Sequence, residues 1–117
     1  MGTRMLATEE AMVHANFKQA ILDADDIGTV LLEVPGNPTM RVIRTPVAEQ
    51  AAIVPADAKV LARVEELYFD GDMSASLANT GQVSSRIDRI LPVAEVIEST
   101  WAGCLAALDA GRARLGT

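Results

Sequence analysis

The chain has 117 residues and a formal net charge of −6. That length corresponds to one small domain, and a domain of this size buries roughly two-thirds of the surface that its unfolded chain exposes. Half of the residues are hydrophobic but only 3% are aromatic, which predicts a core of packed aliphatic side chains. The basic residues are scattered singly along an acidic chain, and this distribution disfavours nucleic-acid binding.

Cysteine usage and hydropathy limit the kinds of site and compartment. Cys104 is the only cysteine, so the chain alone can form neither a disulfide framework nor a metal site of the cysteine or cysteine–histidine kind. No stretch approaches the roughly 18 consecutive apolar residues of a transmembrane helix, and no signal-peptide pattern opens the chain. We therefore expect a soluble, cytoplasmic protein with no membrane contact and no metal site.

The first predicted helix covers residues 8–23. Thr8 is a suitable N-cap, and Glu9 and Glu10 would lie at the positive end of the helix dipole. The acidic cluster at residues 23–26 favours the end of the helix. Apolar residues recur at spacings of three and four, which predicts one buried face made of Val13, Phe17, Ile21 and Ala24.

An antiparallel hairpin is predicted next. Residues 29–34 and 39–44 are rich in β-branched and aliphatic side chains, and the Pro-Gly-Asn-Pro sequence between them favours a tight reversal. Arg41 and Arg44 are separated by an odd number of positions, so in a regular strand they point to opposite faces. They could hold an anion, and the alternative is that they pair with Glu33 or another carboxylate.

The second half of the chain is predicted to be helical. Pro46 suits the first turn of a short helix through about residue 52, and Pro55 opens another through about residue 68. Residues 74–81 are small, polar and irregular in pattern, and are predicted to be the least core-like segment. The strongest helical pattern follows Pro92. Its apolar side carries Val93, Ile97, Trp101, Cys104, Leu105, Leu108 and Leu115.

These elements predict one α+β domain that is mostly α, with an antiparallel β-hairpin and four or five helices. No internal repeat, low-complexity tract or long linker divides the sequence.

Three motifs occur in order along the chain. Residues 1–10 read MGTRMLATEE, residues 40–45 read MRVIRT, and residues 81–97 read GQVSSRIDRILPVAEVI. They resemble the G-T-R-F-x-A-T-x-E, A-R-V-x-R-N and G-Q-x-x-G-L-I-x-x-I-x-P-V-A-E-x-I patterns of nitronate monooxygenases, formerly called 2-nitropropane dioxygenases, and of their FMN-dependent enoyl reductase relatives. The match covers nearly the whole chain and corresponds to the C-terminal third of that family. Met5 replaces the usual Phe, and Ser85 and Arg86 replace the usual Gly-Leu.

The resemblance implies a single domain equivalent to the substrate-side domain and last barrel helix of a TIM-barrel flavoenzyme. Residues 1–7 would form the end of the last barrel strand and the phosphate loop, and residues 8–26 a helix. Residues 27–91 would form the substrate-side insertion, and residues 92–117 the C-terminal helix. Such barrels need about 250 residues, so a missing barrel portion or a partner chain would supply the earlier strands. The abrupt apolar start also suggests a chain cut from something longer.

The resemblance also implies where FMN would bind. Gly2 and Thr3 would belong to the loop that helps to hold the FMN phosphate, because glycine and exposed backbone amides suit close approach to an anion. Gln82 matches the family's loop that faces the flavin. For Gly2 and Thr3 the alternative is a frayed terminus.

The implied substrate contacts lie just before Gln82. Asn79, Thr80 and Gly81 match the family's substrate-facing loop, where short polar side chains could orient the oxygens of a nitronate. The alternative is an ordinary solvated turn. No catalytic residue is assigned, because the family's catalytic histidine lies upstream in a Gly-Gly-His element that has no counterpart here. His14, the only histidine, does not match it and is expected at the surface or an interface.

The leading interpretation is therefore a C-terminal fragment or subunit of an FMN-dependent oxidoreductase. In that family the flavin is reduced by the nitronate and then reacts with oxygen, which gives a carbonyl compound and nitrite. The alternative is a non-enzymatic helical module that associates with itself. Self-association is expected on either interpretation, because the missing barrel would leave two apolar stripes exposed. These stripes are Val13, Phe17 and Ile21 in the first helix, and Ile97, Trp101, Leu105 and Leu108 in the last.

Overall fold

The computed structural model describes residues 1–54 and 57–116, and the predicted helix start at Pro55 lies outside them. The part of the chain so described is mostly helical with one two-stranded antiparallel sheet, which confirms the predicted fold class. The regular elements are α1 (Gly2–Leu6), α2 (Ala15–Asp23), β1 (Thr29–Leu32), β2 (Met40–Ile43), α3 (Pro46–Ile53) and α4 (Val93–Leu115). Shorter turns are a 3₁₀ turn at Ala58–Leu61, a π turn at Glu66–Asp70 and a 3₁₀ turn at Gln82–Arg86.

The hairpin is confirmed, and its turn follows from its residues. The Asn37 backbone N–H donates to the Val34 carbonyl at 3.0 Å, and Gly36 between them has φ +79°. Proline at the second position of the turn and a glycine with positive φ at the third are the pattern of a type II turn. The strands pair so that Thr29 faces Ile43.

Among residues 1–54 and 57–116, the two arginines of the hairpin donate to backbone and hydroxyl oxygens and form no ion pair with a carboxylate. Arg41 donates to the Thr29 hydroxyl at 3.1 Å, and Arg44 donates through Nε to the Ile27 carbonyl at 2.9 Å. The predicted alternative of pairing with Glu33 is therefore wrong. Both guanidinium groups stabilise the base of the hairpin.

The first long helix begins later than predicted, at Ala15 instead of Thr8. His14 is its N-cap, because the imidazole Nδ1 accepts from the Asn16 N–H at 3.1 Å. Thr8 instead forms an isolated parallel bridge with Leu91. The residues just before α2 are therefore not helical, because Thr8 pairs with Leu91, which lies just before α4.

Glu10 caps a different helix from the one predicted. Its carboxylate oxygens accept from the Val93 N–H at 2.9 and 3.1 Å, at the first residue of α4. A carboxylate is stabilised there by the free N–H groups and the helix dipole. Glu10 therefore stabilises a helix start 83 positions away along the chain.

The core has two adjoining parts. The larger joins the buried face of α2 to β2 and the π turn, through Ala7, Phe17, Ile21, Ile43, Leu67, Ala75, Ala78 and Ile87. The smaller lies between the hairpin and α3, through Leu32, Val34, Val42, Ala48 and Leu77. Phe17 and Ile21 are fully buried, so the expectation that the first helix exposes its apolar stripe is wrong.

The segment predicted to be least core-like is largely interior. Ala75, Ser76, Leu77 and Ala78 are all buried, and the Ser76 hydroxyl donates to the Val60 carbonyl at 2.7 Å. The Ile43 N–H donates to the Ala78 carbonyl at 2.9 Å, so the segment pairs with the outer edge of β2. The small side chains of this segment allow close packing against β2. Because few of them are large and apolar, the sequence pattern did not predict that the segment is buried.

α3 and α4 match their predictions closely. Thr45 caps α3 by accepting from the Ala48 N–H at 3.3 Å, and Pro46 occupies the first turn. α4 begins immediately after Pro92 and ends before Gly116, which has φ +72°. No helix among residues 1–54 and 57–116 is long and apolar enough to cross a membrane.

Candidate functional site

The candidate site lies where two segments come together: residues 2–3, which the resemblance assigns to the phosphate loop, and residues 79–82, which it assigns to the loop that faces flavin and substrate. The Gly81 backbone N–H donates to the Thr3 hydroxyl oxygen at 2.7 Å, across 78 positions of sequence. Thr3 is buried, so the frayed terminus considered from the sequence is not what the structure shows at this residue. A Cβ on Gly81 would lie 3.1 Å from the Thr3 hydroxyl oxygen, so a larger residue there would require Thr3 to shift by a few tenths of an ångström.

The N-terminal segment is a short helix rather than the end of a strand. α1 spans Gly2–Leu6, and Arg4 on it donates to the carbonyls of Ala7 and Arg89, the latter at 2.8 Å. These contacts tie α1 to the chain just before α4. Thr3 is thereby held at the junction, while Gly2 remains exposed.

Residues 79–82, called here the candidate loop, are held by backbone hydrogen bonds. The Asn79 N–H donates to the Tyr68 hydroxyl oxygen at 3.1 Å, and the Thr80 N–H donates to the Arg41 carbonyl at 3.1 Å. The Ser84 hydroxyl donates to the Gly81 carbonyl at 2.8 Å. The start of the candidate loop is therefore fixed to β2, through the isolated bridge between Asn79 and Val42, and its end leads into the 3₁₀ turn at Gln82–Arg86.

Tyr68 is a residue of this region that the sequence did not single out. Its ring packs edge-on against Phe17, with ring centroids 4.9 Å apart. Burial raises the pKa of the Tyr68 phenol, and the hydrogen bond from Asn79 partly opposes that shift. The side chain thus joins the main core to the candidate loop. A lone tyrosine in an apolar helical pattern carries no sequence signal for such a role.

The side chains of the candidate loop differ in their surroundings. Asn79 and Gln82 are exposed, whereas Thr80 is buried. The Thr80 hydroxyl has no hydrogen-bond partner among the described residues. Buried hydroxyls are nearly always paired, because an unmet hydrogen bond costs about 1 to 3 kcal/mol. An unpartnered hydroxyl at this position is therefore a candidate contact for a ligand.

These residues fit the phosphate side of FMN, the cofactor that the resemblance implies. Thr3 accepts from Gly81 and keeps its own O–H proton to donate. No heavy atom lies within 4 Å of where a Cβ on Gly2 would stand, so the backbone there is open to a ligand. Hydroxyl donors beside an open glycine backbone suit an anionic group.

Replacing Thr80 with valine is expected to stabilise the isolated chain by about 1 kcal/mol, because the unpaired hydroxyl is exchanged for a methyl group of similar size. The matched control is Thr8→Val, which removes a buried hydroxyl that donates to the Met5 carbonyl at 2.7 Å and should cost about 1 kcal/mol. Urea unfolding measures both. A loss of stability in Thr80→Val equal to that in Thr8→Val would show that the Thr80 hydroxyl is paired.

Other candidates from the sequence lie outside this junction. His14 serves as the N-cap of α2, and Cys104 is an exposed free thiol on α4. Within the described ranges no group of three or more His, Cys, Asp or Glu side chains is arranged to hold a metal ion.

Comparisons with known proteins support the fold. No family model matches the sequence. Among solved structures, FabK from Thermotoga maritima matches with a TM-score of 0.87 and 26% identity, over 97% of this chain and 38% of that protein. A single-substitution variant of the same FabK matches with a TM-score of 0.83 and 28% identity, over 97% of this chain and 36% of that one. The chain thus has the fold of part of FabK and spans little more than a third of its length.

Proposed function

We propose that the chain is the C-terminal portion of an FMN-dependent oxidoreductase of the nitronate monooxygenase type. The observation that carries this proposal is the hydrogen bond from Gly81 to the Thr3 hydroxyl. It joins the motif that resembles the family's phosphate loop to the motif that resembles its substrate-facing loop. The likeness to FabK supports a part of a larger enzyme fold.

Each residue at the junction has a definite task in this proposal. Thr3 and the open backbone at Gly2 hold the phosphate of FMN, and Gln82 lies beside the flavin. Asn79, Thr80 and Gly81 orient the oxygens of the nitronate. When bound, FMN would supply the electron acceptor for nitronate oxidation. The proton-transfer group belongs to the barrel portion, which a longer chain or a partner chain supplies.

The isolated chain is expected neither to retain FMN nor to oxidise nitronates, because the junction provides only one edge of the cofactor site. Absorbance of the purified chain and a nitrite-release assay check this. Stoichiometric FMN bound to the purified 117-residue chain would show that this chain alone holds the cofactor. That result would contradict the proposal that a barrel portion supplies the rest of the site.

A chimera tests the proposed function itself. The chain is joined to the barrel portion of a nitronate monooxygenase, in place of that enzyme's own C-terminal third. We expect FMN binding, and a loss of about 10- to 100-fold in FMN affinity on Thr3→Val, because one hydrogen bond to a charged group is worth about 1.5 to 3 kcal/mol. Thr8→Val is the control and should leave FMN affinity unchanged.

Folding of the chimera is followed separately by circular dichroism and unfolding. A folded chimera that binds no FMN, beside an intact enzyme that does, would overturn the proposal. Equal FMN affinity in the Thr3→Val and Thr8→Val chimeras would remove Thr3 from the phosphate contacts.

A non-enzymatic module that associates with itself is the second candidate function. The observation that favours it is the exposed apolar side of α4, on which Trp101 is 64% exposed.

A further inference from the structure

The hairpin has one strand edge that is not paired. β2 has neighbours on both sides, because β1 lies along one side and residues 78–80 pair with the other. Within residues 1–54 and 57–116, β1 pairs with β2 alone. The outer side of β1, formed by residues 29–33, is called here the open edge. Such an edge offers its N–H and C=O groups to another strand.

The hydrogen-bond pattern shows which backbone groups belong to the open edge. The Arg44 N–H donates to the Gly28 carbonyl at 2.8 Å, so these two residues form a directly bonded pair. Along an antiparallel pair such positions alternate with positions whose N–H and C=O groups point away from the partner strand. The residues of the second kind in and just after β1 are Thr29, Leu31 and Glu33.

Space for another strand exists beside the open edge. The open edge, the hairpin turn and the end of α3 line a groove of about 540 Å³. Leu31 on the open edge is 56% exposed, and Ile53 at the end of α3 is 83% exposed. The groove therefore combines unpaired backbone groups with apolar side chains, which is what the addition of a strand requires.

The open edge lies on the side of the hairpin that faces away from the candidate loop. The Thr80 N–H donates to the Arg41 carbonyl, so the candidate loop adjoins β2 on the side opposite to β1. Because neighbouring strands are about 4.8 Å apart, roughly two strand spacings separate β1 from that loop. A barrel portion that completes the flavin site meets the candidate loop and so leaves the open edge free.

The side chains beside the open edge are complementary to a second copy. A two-fold axis beside Leu31 sets the two Leu31 side chains together and places Thr29 of each copy opposite Glu33 of the other. Arg41 donates to the Thr29 hydroxyl at 3.1 Å, so Glu33 of the second copy comes beside this guanidinium. Among the described residues neither Glu33 nor Arg41 forms an ion pair within its own chain.

Other antiparallel registers are less favourable. Only a shift by two positions keeps the outward backbone groups of both strands in contact. A shift in one direction sets the apolar Leu31 against the charged Glu33. A shift in the other direction moves Glu33 beyond Thr29, the first residue of the opposite β1.

We propose that the chain forms a two-fold symmetric dimer in which two β1 strands pair antiparallel along their open edges. The occupant of the groove is therefore β1 of a second copy. Leu31 pairs with Leu31, and Thr29 pairs with Glu33, across the axis. Closed two-fold pairing uses the same edge on both copies, so neither copy keeps an unpaired β1.

Sedimentation of the 117-residue chain over a range of concentrations is the first test. We expect a monomer–dimer equilibrium that Leu31→Lys weakens about tenfold or more, because two like charges then face each other at the axis. Phe69→Lys is the control, since Phe69 is also exposed, at 59%, but lies on the π turn. Urea unfolding confirms that both variants are folded.

Three results of sedimentation would overturn the proposal. One is a wild-type chain that stays monomeric at high micromolar concentration. Another is equal weakening by Leu31→Lys and Phe69→Lys. The third is association that survives Leu31→Lys and is lost in Trp101→Lys, which would assign the contact to the exposed side of α4.

Amide hydrogen exchange tests the register. In the monomer the amides of Leu31 and Glu33 face solvent, and in the dimer they are hydrogen-bonded. Their exchange should slow about tenfold once roughly nine chains in ten are dimeric, because only the remaining monomer exposes them. The amides of Val30 and Leu32 face β2 and should be slow at every concentration. A dimer without added protection at Leu31 and Glu33 would overturn the proposal.

Charge exchange tests the ion pair between copies. Glu33→Arg should weaken the dimer about fivefold, because it sets like charges together at both ends of the paired strands. Adding Arg41→Glu should recover most of the affinity. A folded double variant that dimerises more weakly than Glu33→Arg alone would contradict the pairing of Glu33 with Arg41. Since FMN plays no part in these measurements, their failure is distinct from failure of the proposed enzyme function.

Discussion

Replacing Gly71 with alanine is expected to cost the folded chain about 2 to 5 kcal/mol of unfolding free energy. Gly71 has φ +78°, and an added Cβ would lie 2.3 Å from Nδ1 of His14. The left-handed conformation costs a non-glycine residue about 1 to 2 kcal/mol, and forcing a side chain into an occupied space adds about 1 to 3 kcal/mol. His14 is also held in place, because its Nδ1 caps α2.

Gly36→Ala is the matched control for this prediction. Gly36 has φ +79°, nearly the same as Gly71, but no heavy atom lies within 4 Å of its added Cβ. Its cost should therefore be the conformational part alone, about 1 to 2 kcal/mol. Chemical unfolding measures both variants. Equal losses would show that the imidazole moves aside freely, and would contradict the steric contribution.

Phe17→Ala is expected to have the second large effect, a loss of about 3 to 5 kcal/mol. Phe17 is fully buried, and its ring packs edge-on against Tyr68. Removing it leaves a cavity between α2 and the π turn Glu66–Asp70. A domain whose net stability is about 5 to 15 kcal/mol would lose much of its folded population.

Phe69 supplies the comparison, because the chain has two phenylalanines and this one is 59% exposed. Phe69→Ala removes the same atoms from a surface position, so the change in unfolding free energy should stay within about 0.5 kcal/mol. Thermal or urea unfolding of the pair separates burial from residue type. A loss for Phe69→Ala close to that for Phe17→Ala would mean that both rings are buried in solution.

Elements set by contacts between near neighbours could be predicted from the sequence alone. The turn of the hairpin follows from a proline and a glycine in consecutive positions, and α3 follows from Pro46 in its first turn. α4 follows from a long apolar repeat that begins after Pro92 and ends at a glycine. In each case the backbone preference of a few adjacent residues determines the structure, so no distant partner is needed.

The candidate site was predictable only as two separate segments. Gly2 and Thr3 belong to one predicted segment and residues 79–82 to another, and Thr3 and Gly81 are 78 positions apart in the chain. Their meeting depends on α1 packing beside the turn at Gln82–Arg86, and the hydrogen bond between Thr3 and Gly81 exists only in the folded chain. The role of Tyr68 in holding Asn79 likewise depends on where the core places its ring.

Tertiary contacts also determined the structure of segments whose local sequence favours a different conformation or exposure. Thr8 and the glutamates after it have the chemistry of a helix start, but Thr8 pairs with Leu91 and Glu10 caps α4. The segment from Ala75 to Ala78 is poor in large apolar residues, yet it is buried because its small side chains fit against β2. Local sequence determined the hairpin turn, the start of α3 and the long helix α4. Long-range pairing and packing decided α2's start, the burial of small residues and the assembly of the site, because their energies come from residues far apart in the chain.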